Sequence, residues 1–171
     1  MSKNADLNLE KALQEFEQGV ENYLNAKTRS QVCLIGIRTG GVWLAQKIAA
    51  SLTLPEPPGE LNIAFYRDDF SRIGMHPTVE PSVLNFDVND RHLLLIDDIL
   101  FTGRTVRAAM NEIFDYGRPA SIGLAVLVDR GGRELPVQAD IVGTHVSLGA
   151  NEHVKLSGPD PLKLELCKVT P

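Results

Sequence analysis

The sequence is sparing with cysteine, aromatic residues and net positive charge, and it has no long hydrophobic run. Its two cysteines, Cys33 and Cys167, form no CxxC pair, and each sits in an apolar stretch. That leaves no basis for a disulfide framework or a cysteine-ligated metal centre. The expectation is two packed, reduced thiols in a reducing compartment. His76, His92, His145 and His153 show no metal-ligand spacing and read as surface residues. No apolar run approaches the ~20 residues that span a bilayer. The opening "MSKNADLNLEKAL" lacks the apolar core of a secretory signal. These absences predict a cytoplasmic protein with no membrane partner. Lys and Arg number 17 against 22 Asp and Glu, for a net charge of −5. That balance counts against a general nucleic-acid binder and leaves only local basic patches open. Neither GxxxxGK[ST] nor GxGxxG occurs, so the two best-known nucleotide-phosphate loops are absent.

What is present is an ordinary globular composition, 43% hydrophobic and 23% charged over 171 residues, which suits one domain spanning 1–171. Leu9, Leu13, Phe16, Val20 and Leu24 recur every three or four residues. They predict an amphipathic helix capped by Asn8 or Asp6. "VCLIGI" (Val32 to Ile37) is a continuous apolar run of strand length, as expected where both faces of a parallel sheet are covered. "RTGG" then leads into a second helix with Val42, Ala45, Ile48, Ala49 and Leu52 on one face, ended by "PEPPGE". "LNIAFYR" (Leu61 to Arg67) reads as a strand, and "VLNF" as a short returning one. Between them lies a long irregular segment, about 67–82, of the kind that serves as a lid. Leu93 to Ile96 and Ser121 to Val128 read as buried strands. Val106, Ala109, Met110, Ile113 and Phe114 form a helical face ended at Gly117 and Pro119. "EHVKL" and "LKLELCKV", about 153–168, predict antiparallel strands around "SGPDP". Alternating strands and helices imply an α/β fold with a mostly parallel central sheet flanked by helices. Ligands then bind beyond the carboxyl ends of the strands. Three loops lie there: Arg38 to Gly41, Asp97 to Thr105 and Asp129 to Arg133.

The chemistry concentrates in "LLLIDDILFTGRT", Leu93 to Thr105. Thr102, Gly103, Arg104 and Thr105 fall where strand turns into helix. Unpartnered amides, the helix dipole, two hydroxyls and a guanidinium make an anion cradle there. Asp97 and Asp98 would repel a bare phosphate, but carboxylates accept hydrogen bonds from a vicinal diol. A sugar phosphate satisfies both halves, with Mg²⁺ as a fitting cation for carboxylate and phosphate oxygens. A surface acid pair capping a helix is the plainer alternative. A receiver-type phosphotransfer domain would want its acids after the first strand and is disfavoured by their late position.

Acid pair, apolar lead and T-G-[RK]-T spacing together resemble the signature of the type I phosphoribosyltransferases, which use 5-phosphoribosyl 1-pyrophosphate. The resemblance implies the type I fold with a small hood and a flexible loop. It implies that Asp97 and Asp98 hold the ribose hydroxyls and that Thr102, Gly103, Arg104 and Thr105 hold the 5′-phosphate, with Leu100 among the nucleotide-binding positions. "GIRTGG" resembles the pyrophosphate loop, making Arg38, Thr39 and Gly40 donor-binding and Arg38, Asp97 and Asp98 the catalytic set. Gly40 replaces an arginine of some relatives, so one cation is missing. Arg67 and Asp68 are expected to act with the loop closed. Mg²⁺ is expected to be held mainly through the substrate, with Asp97 and Asp98 as its protein ligands.

"AVLVDRGGRELPVQAD" (Ala125 to Asp140) resembles the pyrimidine-operon attenuation regulators that are also uracil phosphoribosyltransferases. From it follow base-binding roles for Val128, Asp129 and Arg130, with uracil and phosphoribosyl pyrophosphate as substrates and UMP and pyrophosphate as products. A homodimer or larger homo-oligomer also follows. Leader RNA is the other partner of that subfamily, with Arg130 and Arg133 as contacts here, unless Arg133 serves the active site or a structural ion pair. Against RNA stand Gly132 where RNA-binding relatives carry His, Gln138 where they carry Arg, and Glu15 at a position expected to be basic. A regulator with little enzyme activity, or a transferase for another base, are the alternatives.

Overall fold

The computed structural model describes residues 7–63 and 80–168. Helix α1 (Leu9–Ala26) begins at Asn8, whose side chain accepts the Lys11 N–H at 3.0 Å. It buries Ala12, Phe16, Val20 and Leu24. A short 3₁₀ turn leads to β1 (Val32–Ile37), buried at every position. Then come α2 (Gly40–Ser51), β2 (Gly59–Leu61), β3 (His92–Leu100), α3 (Arg104–Tyr116), β4 (Ser121–Asp129), β5 (Ile141–His145), β6 (Glu152–Ser157) and β7 (Lys163–Lys168).

The first five strands form one parallel sheet in the order β2-β1-β3-β4-β5, and β6 and β7 form an antiparallel pair. The sheet has a core on each face. Leu34, Leu94, Ile96 and Ala125 pack with α1 and α2, whereas Ile35, Leu93, Leu95 and Val126 pack with Val106, Ala109 and Ile113 of α3. That two-sided burial explains the unbroken apolar runs.

Several expectations need correction. The strand expected at Leu93 to Ile96 continues to Leu100, because β4 continues beside it with Asp97 opposite Val126 and Ile99 opposite Val128. Asp97 and Asp98 are therefore strand residues and not part of a loop. Strand β2 starts at Gly59, inside the stretch read as a terminator, and ends at Leu61, the first residue of "LNIAFYR", whose Ala64 to Arg67 lie outside the described residues. Val83 makes an isolated antiparallel bridge to Glu60 instead of a strand. Phe114 is 57% exposed, so it lies off the buried face of α3. Strand β5 had no counterpart in the reading. Its Gly143 sits where a Cβ would meet the carbonyl oxygens of Ala12 and Leu127 at 2.6 Å, so close packing of α1 costs the strand its apolar pattern. Cys167 is only half-buried, because β7 belongs to the two-stranded hairpin and not to the core. Arg67, Asp68, His76 and most of the expected lid at 67–82 fall outside the described residues. Among the described residues, no helix is long and apolar enough to cross a membrane.

Candidate active site

The sheet order reverses between β1 and β3, and a cavity of about 620 Å³ opens beyond the carboxyl ends of those strands. That is where open α/β sheets bind ligands. Thr39, Gly40 and Trp43 line one side, Asp97 to Gly103 with Thr105 and Val106 form the floor, and His153 to Leu156 of β6 form the opposite wall.

The acid pair is anchored by the chain itself. Asp97 is 2% exposed, and its Oδ1 accepts the Asp98 N–H at 3.0 Å. Asp98 Oδ1 accepts the Ile99 N–H at 2.9 Å. A carboxylate fixed by a neighbouring amide loses less rotamer freedom when a ligand arrives. Helix α2 approaches this pair closely. A Cβ on Gly40 would lie 2.4 Å from Asp98 Oδ2, and one on Gly41 would lie 2.3 Å from the Ile96 carbonyl oxygen. At Gly41 the opposing atoms are backbone and only a hydrogen atom fits; at Gly40 they belong to the Asp98 side chain, which a Cβ would displace. Gly40 thus brings the start of α2 against Asp98, whatever charge it withholds.

The turn after β3 is shaped by Gly103, whose φ of +93° favours glycine. The residue precedes α3, and its carbonyl accepts the Arg107 N–H at 3.0 Å. Thr102 is buried; its hydroxyl oxygen accepts the Arg104 N–H at 3.2 Å, and its carbonyl accepts the Glu134 and Leu135 N–H groups. Thr102, Gly103 and Thr105 line the cavity. Arg104 does not, since its Nε donates to Glu134 Oε2 at 2.7 Å in a half-exposed pair.

Arg38 is turned away in the same manner. Its Nε and Nη2 donate to Glu60 Oε2 at 3.1 and 2.9 Å, and its Nη1 donates to Glu80 Oε2. The bond to Glu80 is the largest influence holding its pKa up. Thr39 lines the cavity while Arg38, beside it across a cis peptide, does not.

The β4 loop is braced internally. Val128 is fully buried and pairs with Ile99 on one side and Thr144 on the other. Burial favours the neutral form of Asp129, but hydrogen bonds from Arg133 at 2.5 Å and the Gly131 N–H at 2.9 Å outweigh it and lower the carboxyl pKa. Arg133 also donates to the carbonyls of Val137 at 3.0 Å and Phe101 at 2.8 Å. Arg130 lies over the Phe101 ring, 3.9 Å from its centroid, and donates to the Glu152 carbonyl at 3.2 Å. Both arginines assigned to RNA thus face inward.

Trp43, Phe101, His153 and Lys155 line the cavity although no site role was read for them from the sequence. Phe101 lay inside the signature stretch and could have been flagged by position. The β6 residues carry only a strand alternation, which does not reveal what the hairpin covers.

Residues 7–155 match the phosphoribosyl transferase domain family. Among solved structures, a hypoxanthine-guanine-xanthine phosphoribosyltransferase superposes with a TM-score of 0.60 at 20% identity, covering 82% of this chain and 76% of that one. A hypoxanthine-guanine phosphoribosyltransferase from Bacillus anthracis gives 0.65 at 13% identity, covering 81% and 80%. The chain belongs to the phosphoribosyltransferase domain family. Relatives within it include proteins named bifunctional protein PyrR. That of Nitrosococcus oceani is 54% identical over 96% of this chain and 94% of its own length. That of Pseudomonas syringae pv. tomato is 51% identical over 90% and 91%.

Proposed function

We propose that this chain is a uracil phosphoribosyltransferase, converting uracil and phosphoribosyl pyrophosphate to UMP and pyrophosphate. The observation that carries the reading is the cavity that joins a backbone-anchored acid pair to a glycine-shaped phosphate turn at the sheet's switch point. Asp97 and Asp98 accept the ribose 2′ and 3′ hydroxyls. Thr102 to Thr105 receive the 5′-phosphate at the start of α3. The bond from C1′ to pyrophosphate breaks as uracil N1 closes on C1′ and releases its proton to solvent or to the departing pyrophosphate, and the two carboxylates stabilise the positive charge that develops on the ribose ring. No side chain of the cavity is needed as a nucleophile, so the catalysis is chiefly positioning and electrostatics. The family resemblance assigns Val128, Asp129 and Arg130 to the base and Arg38, Thr39 and Gly40 to the pyrophosphate; of these Thr39 and Gly40 line the cavity, and Arg38 has to leave Glu60 and Glu80 to reach it. Arg67 and Asp68, which lie outside the described residues, are assigned to donor binding by the resemblance alone.

Asp97 and Asp98 offer the hard oxygen ligands that Mg²⁺ takes. Among the described residues no group of three His, Cys, Asp or Glu could hold a metal, so the fit is to a cation that shares its ligands with substrate and water. Bound there, Mg²⁺ would neutralise pyrophosphate charge.

We read residues 1–171 as one domain of a cytoplasmic protein that assembles as a homodimer or larger oligomer. A second activity is favoured by one observation, the word "bifunctional" in the names of the relatives. Leader RNA is its proposed partner. Arg130 and Arg133 are the assigned contacts, and their inward bonding weakens that assignment. The enzyme reading is tested by incubating the protein with uracil, phosphoribosyl pyrophosphate and Mg²⁺ and following UMP. A leader-RNA gel shift across salt concentrations tests the second.

A further inference from the structure

Phe101 is a large apolar side chain left 43% exposed while it lines the cavity. It sits between the acid pair and the phosphate turn, one residue past β3. Two neighbours fix its ring. The Arg130 guanidinium covers it at 3.9 Å, and that arginine is itself held by the Glu152 carbonyl and by its own N–H, which donates to the Leu100 carbonyl at 3.1 Å. Arg130 Nε is buried with no hydrogen-bond partner, so the guanidinium gives up one bond to lie on the ring. At Gly132, whose φ is +75°, a Cβ would lie 2.6 Å from Phe101 Cε2. The absence of a side chain there leaves room for the ring.

An aromatic side chain fixed at the wall of a ligand cavity offers a π-face to a flat heterocycle and no donor or acceptor to distinguish one heterocycle edge from another. The neighbouring carboxylates and hydroxyls account for sugar and phosphate. Phe101 suits neither, since both are polar. We infer that Phe101 is the base-contacting aromatic of this site and that Arg130 and Gly132 are positioning residues that hold its ring, an inference that rests on the phosphoribosyltransferase reading above. The contact gives affinity for a planar base. Gly132 thereby links the outer loop to the base.

The test is steady-state kinetics of UMP formation for wild type, Phe101→Leu, Phe101→Tyr and Gly132→Ala, with KM measured separately for uracil and for phosphoribosyl pyrophosphate. Phe101→Leu removes the π-face and is expected to raise the uracil KM about tenfold while leaving the donor KM within about twofold. Phe101→Tyr keeps the ring and retains the wild-type uracil KM. Gly132→Ala pushes the ring aside and raises the uracil KM in the same direction by a smaller factor. An unchanged uracil KM in Phe101→Leu, or an equal rise in both KM values, overturns the inference. Should Gly132→Ala fail to fold, the Leu and Tyr pair at the half-exposed position 101 still decides. A wild type that makes no UMP from uracil overturns the proposed function itself. A wild type that makes UMP while Phe101→Leu matches its uracil KM overturns only the role of Phe101.

Discussion

Replacing Gly41 by alanine should damage the active site more than the fold. A Cβ there would lie 2.3 Å from the Ile96 carbonyl oxygen, 3.1 Å from the Ile96 carbonyl carbon and 3.2 Å from Asp97 Cα, where ordinary contact begins at 3.4 Å. All three atoms are backbone of the central strand, so no side chain can rotate out of the way. Helix α2 must retreat by about 1 Å, an overpacking that costs about 1–3 kcal/mol. For a chain of this size that lowers Tm by about 2–10 °C. The retreat carries Thr39 and Gly40 away from Asp98, and a misplacement of ~1 Å in a reacting constellation can cost about 100-fold in rate. Gly149→Ala is the control, since a Cβ there meets Glu152 no closer than 3.4 Å. Calorimetry should give the drop in Tm for Gly41→Ala, and UMP formation the larger loss in kcat/KM. A Gly41→Ala protein with wild-type Tm and wild-type kcat/KM would refute the steric argument.

Three other perturbations follow from the same geometry. Pyrophosphate must compete with Glu80 for Arg38, and Glu80 is 68% exposed, so Glu80→Gln should lower the donor KM about two- to fivefold with kcat unchanged; a raised donor KM would count against Arg38 as a donor ligand. Burial, followed by the hydrogen bond to Glu56, pushes the Cys33 thiol up to about 12, leaving about one thiolate in ten thousand at pH 8. Iodoacetamide on the native protein should therefore modify Cys167 and spare Cys33, and labelling of Cys33 before unfolding would contradict its packing. The Asp129 carboxyl is held below its ordinary range, so it contributes stability above the carboxylate pKa of the unfolded chain. That stability is lost as pH falls through the lower folded value. Arg133→Met should raise the acid-unfolding midpoint and cost about 2–3 kcal/mol by circular dichroism, and an unmoved midpoint would show that the pair does not brace the loop.

The signature stretch was legible because its parts are local. A carboxylate pair, a glycine needing positive φ and a helix start all lie within Leu93 to Thr105, and the fold carries them as one unit. Parallel strands were legible because burial on two faces leaves no polar alternation. Long-range facts were not legible. Arg38 meets Glu60 and Glu80, and Cys33 meets Glu56, across separations that no spacing rule records. Arg133 was open to an RNA contact, an active-site role or a structural ion pair, and only the Asp129, Val137 and Phe101 acceptors around it favour the last. Strand β5 was hidden by the glycine that lets α1 approach. Trp43 and the β6 wall enter the cavity only through tertiary packing, whereas Phe101 was hidden by its neighbours, the acids and the phosphate turn, which drew attention to themselves.

The central claim is that Asp97 and Asp98 hold the ribose of a phosphoribosyl donor while its pyrophosphate is exchanged for uracil. It is tested most directly by measuring UMP and pyrophosphate formed from uracil and phosphoribosyl pyrophosphate with Mg²⁺, in wild type and in Asp98→Asn. The wild type is expected to form both products in equal amounts, and Asp98→Asn to lose about 100-fold or more in kcat/KM at little cost in Tm. Wild-type turnover in Asp98→Asn, or no UMP from the wild type, would contradict it.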